Sequence, residues 1–120
     1  MELAYAWVMK RFPFHDASSP EAVQRLVELH TATRAALQVG SVRLEPGQRV
    51  PDEGASQHPV DEVSLVVKGS LTATSGGESC VLRAGEVSLI PAGEPHWAVA
   101  GEEGAEIFWL HFGAARTFDE

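Results

Sequence analysis

The sequence has little that would brace it covalently, seat it in a membrane or hold it on nucleic acid. It contains a single cysteine, Cys80, so no intrachain disulfide can form, which suits a reducing compartment. No run approaches the roughly 18 apolar residues that a membrane span needs. The first ten residues are too short, and too interrupted by Glu2 and Lys10, to form a secretory leader. Lys and Arg number 9 against 17 Asp and Glu, a formal net charge of −8, and no stretch clusters the bases. A sequence-independent grip on nucleic acid or on anionic lipid needs concentrated positive charge, so both partners are expected to be absent. No Ser/His/Asp array, phosphate-cradling glycine loop or cysteine-rich zinc pattern is present. The expectation is a soluble, cytoplasmic protein.

What the chain does have is enough apolar content for one core. Its 120 residues are 44% hydrophobic and 22% charged, ordinary for a single globular domain spanning 1–120. Residues 3–9 read as a strand rich in aromatic and β-branched side chains. Ser18 and Glu21 fit a capping box with Pro20 in the first turn, and Val23, Leu26, Val27 and His30 share a helical face, which predicts a short helix over 20–30. From Arg34 onward only strands are expected. Leu37 and Val39 alternate with polar neighbours, Val42 and Leu44 continue with the opposite parity, and the switch at Gly40-Ser41 suggests a β-bulge. Further strands are predicted at 63–67, 71–74, 80–83, 87–90, 96–100 and 105–112. The 71–74 and 80–83 strands flank a hairpin at Ser75-Gly-Gly-Glu78, and Gly101-Glu-Glu-Gly104 reads as a turn. Turn signals at 8–12 residue spacing are the rhythm of a sandwich or barrel.

Two histidines, His58 and His96, stand beside turn residues near strand ends. His58 is followed by Pro-Val-Asp-Glu62, and His96 follows Pro91-Ala-Gly-Glu-Pro95. Two imidazoles and one carboxylate, with positions left over, suit a divalent transition metal. The spacing resembles the two motifs of the cupin superfamily. His58-x3-Glu62-x6-Gly69 matches the second half of G-x5-H-x-H-x(3,4)-E-x6-G. Gly85-x5-Pro91-x-Gly93-x2-His96 matches G-x5-P-x-G-x2-H-x3-N at every position but the last, which is Ala100. The resemblance covers roughly residues 34–112. It implies an all-β, antiparallel jelly-roll barrel (a double-stranded β-helix) with residues 1–33 as an N-terminal strand and short helix. It further implies a metal inside the barrel held by His58, Glu62 and His96. That metal is one divalent ion, whether iron, manganese, nickel or zinc.

The first family histidine has no counterpart. Counting back from His58 it falls on Ser56; counting forward from Pro46-Gly47 it falls on Glu53; a small insertion therefore lies within Asp52–Gln57. Either residue stands as the candidate for the fourth position. His111 is read as a packed or hydrogen-bonded side chain outside the ligand set, and His15 and His30 as structural. Trp97 and Trp109 are read as core or dimer contacts, with Trp97 facing away from His96. Cys80 is read as a small buried hydrophobe. Two functions are carried forward. One is a metal-dependent enzyme on a small polar molecule, with oxygenase, isomerase or lyase type chemistry. The other is a non-catalytic cupin that binds a small ligand or metal as sensor or store. Alternating apolar faces in excess of one core, with Tyr5 and Trp7 in the first strand, predict a homodimer.

Overall fold

A computed structural model describes residues 14–15, 17–30 and 35–114. Their regular structure consists of seven strands: β1 (Val23–His30), β2 (Ala35–Leu44), β3 (Arg49–Val50), β4 (Asp61–Ser75), β5 (Glu78–Arg83), β6 (Val87–Ile90) and β7 (His96–Ala114). All pairings are antiparallel, in the order β1-β2-β7-β4-β5, with β3 on β7 and β6 on β4. The all-β reading therefore holds. The expected strand at 3–9 lies outside the described residues.

β4 and β7 form the spine, pairing from Asp61↔Phe112 to Ser75↔His96, with register shifts at Val66/Lys68 and Gly69/Leu71. Glu62 and Ser75 would stand roughly 40 Å apart on a straight strand. Yet His96, the partner of Ser75, brings its Nε2 to 3.8 Å from Glu62. The two strands thus turn a corner together and wrap into a barrel. The corner is made by Gly69 and Gly104, at φ 74° and 77°. A Cβ on Gly69 would overlap the Gly104 carbonyl, so backbone meets backbone here without side chains. This explains why Gly101–Gly104, expected as a turn between two strands, bends one continuous strand.

The predicted helix at 20–30 is corrected: Val23–His30 is a strand, paired along β2. Without it β2 would present a ten-residue edge of unpaired backbone groups. An irregularity between Arg25 and Val27 inserts Leu26 as an extra residue. That bulge breaks the period of two and produces the i, i+3, i+4 spacing that imitates a helix. The capping box also resolves differently, because Ser19 Oγ accepts the Glu21 amide at 3.2 Å in a local turn. The bulge expected at Gly40-Ser41 lies instead on the partner strand, and β2 pairs with β7 without interruption. The change of parity in β2 has another cause. Val42 and Leu44 join the core, while Gly40 gives up its Cβ to the Trp109 indole, which such an atom would overlap.

The core gathers Val42, Leu44, Val66, Leu71, Ala100, Ala105, Ile107 and Trp109 near the corner. Gly76 and Gly77, at φ 59° and 86°, form the expected two-residue hairpin between β4 and β5. Cys80 departs from its expected burial: it is exposed, because β5 is a sheet edge with a neighbour on one side only.

Candidate metal centre

Glu62 lies at the start of β4 with His111 directly across from it on β7, so the two side chains share the inner face. His111 Nε2 is 2.8 Å from Glu62 Oε1. His58 arrives from the loop before β4, its Nε2 3.6 Å from the same oxygen. His96 opens β7 on the facing wall, its Nε2 3.8 Å from that oxygen. Three imidazole nitrogens therefore surround one carboxylate oxygen. The ligand atoms of His58, Glu62 and His111 all lie within 4.8 Å of one another; His96 falls outside this group, though its Nε2 is 3.8 Å from Glu62 Oε1. The structure thus brings together all three residues singled out from the sequence, and adds His111. That histidine is hydrogen-bonded, as expected, but its partner is Glu62.

The loop carrying His58 is stitched to the turn that precedes His96. Ser56 and His96 exchange backbone hydrogen bonds of 2.8 and 2.9 Å, the Gly93 amide donates to the His58 carbonyl at 2.7 Å, and Gln57 Nε2 donates to the Gly93 carbonyl at 2.7 Å. The Ala92 amide donates to Asp61 Oδ1 at 2.9 Å. Gly93 holds φ 83°, a conformation that a side chain would strain, which gives the Pro91-x-Gly93-x2-His96 spacing its physical reason. His96 Nδ1 lies 2.9 Å from the Glu94 carbonyl and must donate to it, which leaves the Nε2 lone pair facing Glu62.

Burial by itself would raise the Glu62 carboxyl. The hydrogen bond from His111 and the charges of His111, His96 and His58 more than offset it, and the group is held below its ordinary value. Ser64 Oγ donates to the other carboxylate oxygen at 3.3 Å. Burial pushes His58 down, His111 and His96 push it further, and Glu62 partly opposes them. A neutral imidazole beside an ionised carboxylate is the protonation state that metal ligation requires. Donors about 2.1 Å from a common ion stand roughly 3.0–3.4 Å apart. The distances from Glu62 Oε1 to His111, His58 and His96, at 2.8, 3.6 and 3.8 Å, bracket that spacing; His58, Glu62 and His111 form the compact set that fits a divalent transition metal, and His96 reaches it through Glu62 alone.

The cluster opens on a cavity of about 790 Å³. His58 sits at its mouth with 34% of its side chain exposed, against 12–16% for the other three. Ser56 lines this cavity beside His96, whereas Glu53 is exposed and is absent from the described lining. Trp109 packs against His111 with ring centroids 4.6 Å apart and the rings tilted by 37°, a core position as expected. Trp97 is half-buried beneath the Arg49 guanidinium, 5.4 Å from its ring centroid. His15 reaches Ser41 Oγ at 3.2 Å and Gln24 Nε2 at 3.1 Å, away from the cluster. His30 falls on β1.

Among known proteins, the family model for the cupin domain matches residues 40–111. A protein of unknown function from Rhizobium leguminosarum bv. viciae 3841 is 27% identical, with a TM-score of 0.65 over 88% of this chain and 97% of its own. KdgF from a Halomonas species is 25% identical, with a TM-score of 0.61 over 88% and 92%. An oxalate oxidase, solved with the substrate analogue glycolate, is 21% identical, with a TM-score of 0.65 over 95% of this chain and 62% of that one; this likeness concerns the fold. None of the curated proteins matches the chain.

Proposed function

Because the chain belongs to the cupin family, we propose that it is a metal-dependent enzyme acting on a small molecule, with His58, Glu62, His96 and His111 holding one divalent ion. The observation that carries this reading is the convergence of three imidazole nitrogens on Glu62 Oε1. His111 takes the part of the missing first motif histidine, from a different strand. Iron, manganese, nickel and zinc all suit these ligands. When bound, the metal supplies a Lewis acid or an oxygen-activating centre. The protein's own groups do the rest. Ser64 orients the carboxylate, the Glu94 carbonyl fixes the His96 tautomer, and the cavity admits a ligand at the His58 side. A cavity beside the donors favours turnover over storage, since structural metal sites are closed by their ligands. The oxalate oxidase shows the barrel supporting an enzyme of a small acid in a related fold. The test is to load the protein with excess manganese or zinc, desalt it and count metal per chain. One ion per chain is expected, Glu53→Ala should change little, and Ser56→His should tighten binding by adding a donor. A wild-type protein that keeps no metal overturns the reading.

The outward face of β6, β4 and β7 supports a homodimer. Val87 is 61% exposed, Leu89 65% and Phe112 56%. Pairing sets Leu89 beside Val63, Val63 beside Leu110, and Val87 beside Leu65 on that same face. A second copy is the fitting occupant: a chain of net charge −8 meets its own copy at least cost where charge is sparse, and on these paired positions Asp61, beside Phe112, is the one carboxylate. The exposed apolar area is on the order of 400 Å² and contiguous across three strands, the size of patch that is often functional. Light scattering at tens of micromolar should give twice the chain mass, and a monomer would refute the assembly. The acidic balance and the single cysteine support a cytoplasmic protein that engages neither nucleic acid nor lipid. Among the described residues no helix is long and apolar enough to cross a membrane.

A further inference from the structure

The His–Glu cluster occupies one end of the cavity, and the rest of the wall has a different character. Away from the cluster, β7 presents His111, then Trp109, then Ile107, while β4 presents Glu62, then Ser64, then Val66. On these two strands polarity is thus spent within two inward-facing steps, or about 13 Å of strand, and the polar Gln38 and Ser88 stand at the same end, paired with His111 and Ser64. On the opposite wall Ala73 pairs with Ala98, and Leu71 continues toward the core. The paired alanines keep that wall low, where larger side chains would have filled the space. Among the described lining residues, Glu62 is the one carboxylate and Arg25, on the exposed β1, the one Lys or Arg. A divalent ion held by neutral imidazoles and one carboxylate retains a single net positive charge. It balances one negative charge; the one guanidinium on the lining, Arg25, is exposed and already engaged within the protein.

We propose that the ligand is a monoanionic carboxylate with an oxygen on the adjacent carbon, a 2-oxo or 2-hydroxy acid, carrying an aliphatic tail. Its head lies at the His–Glu cluster, where two oxygens can complete a metal's coordination. Its tail lies against Val66, Ala73, Ala98 and Ile107. The head rests on the metal reading above; the tail rests on the wall alone. The small polar molecule expected from the sequence is thereby narrowed to one with an apolar body.

The test is calorimetric titration of the manganese-loaded protein with pyruvate, 2-oxobutyrate, 2-oxopentanoate, 2-oxohexanoate and oxalate. Affinity should rise about threefold to fourfold per added methylene until the wall is filled. Oxalate, a dianion without a tail, should bind more weakly than 2-oxopentanoate. Ala98→Leu should flatten the series, with metal content as the check on folding. A flat or falling series, or oxalate binding tightest, overturns the proposal. If the protein retains zinc, iron or nickel but not manganese, the same titration is run with that metal; if it retains none of the four, the metal reading and the head fail together, and the tail is judged by itself. In that case the alanine methyl NMR signals of Ala73 and Ala98 should still shift with butyrate, hexanoate and octanoate in order of length. Methyls that ignore all three acids overturn the tail as well.

Discussion

Along β4, Glu62 and Ser64 face the cavity while Val63 and Leu65 face outward; along β7, His111 and Trp109 face in while Leu110 and Phe112 face out. On this stretch the usual arrangement of an antiparallel sheet, apolar inside and polar outside, is reversed. Nearer the corner it is restored, with Val66 and Ile107 buried in the core beside Val42 and Leu44. Neither half of the reversal is favourable by itself. Buried imidazoles and a carboxylate cost desolvation unless they are paired or ligating, and exposed Leu and Phe side chains leave apolar area in water. The proposed function gives the two costs different remedies: a metal on the inside and a second chain on the outside. Because side chains alternate with a period of two, one strand serves both purposes in successive residues.

Three substitutions or conditions separate the two faces. The largest effect is expected inside: Glu62→Ala should weaken metal binding by about 100-fold or more, since it removes a direct ligand where losing a supporting contact costs 10–100-fold. Competition against a chromophoric chelator reads this directly, and an affinity unchanged by the substitution would remove Glu62 from the site. One residue further along, the outward face should respond in the complementary way. Leu89→Asp should raise the dimer dissociation constant by about 30-fold or more, the loss typical of a central interface anchor. Metal content should stay at one per chain, so a variant that loses both properties would show that the faces are not independent.

The smallest expected effect is a pH dependence of the metal-free protein. His58 is held below its ordinary 6.5, so the unfolded chain takes up a proton before the folded one does, and stability should fall as pH drops from about 6.5. Glu62 is held below its ordinary 4.5, so its contribution is present above that value and is lost on further acidification. Both shifts have the same sign. Urea midpoints at pH 8, 6 and 4.5 should decline in that order, and a midpoint that rises on acidification would contradict the burial of the cluster.

Much of this arrangement is legible in the sequence where it depends on local chemistry. Gly93 needs its left-handed backbone and Gly76-Gly77 closes a two-residue hairpin, so glycines mark both turns. His58, Glu62 and His96 sit at fixed offsets from glycines, which is what makes them visible in the sequence. What depends on pairing between distant strands is not visible locally. His111 has no motif around it, and its role follows from the register Glu62↔His111, which spans 49 positions. β1 conceals itself for a related reason, because the extra residue at Leu26 removes the alternation by which a strand is recognised. β7 looks like two strands because Gly104 bends it, and only its shared pairing with β4 shows it to be one. Cys80 has the alternation of a core residue, but its exposure is decided by the missing neighbour beyond β5.

Three imidazoles and one carboxylate are proposed to share one metal, and X-ray absorption of the zinc-loaded protein counts those imidazoles directly. Three histidine ligands are predicted for the wild type, with His96→Ala and His111→Ala each reducing the number to two. A wild-type spectrum with fewer than three imidazoles, or one unchanged in His111→Ala, would contradict the convergence of β4, β7 and the His58 loop on a single ion.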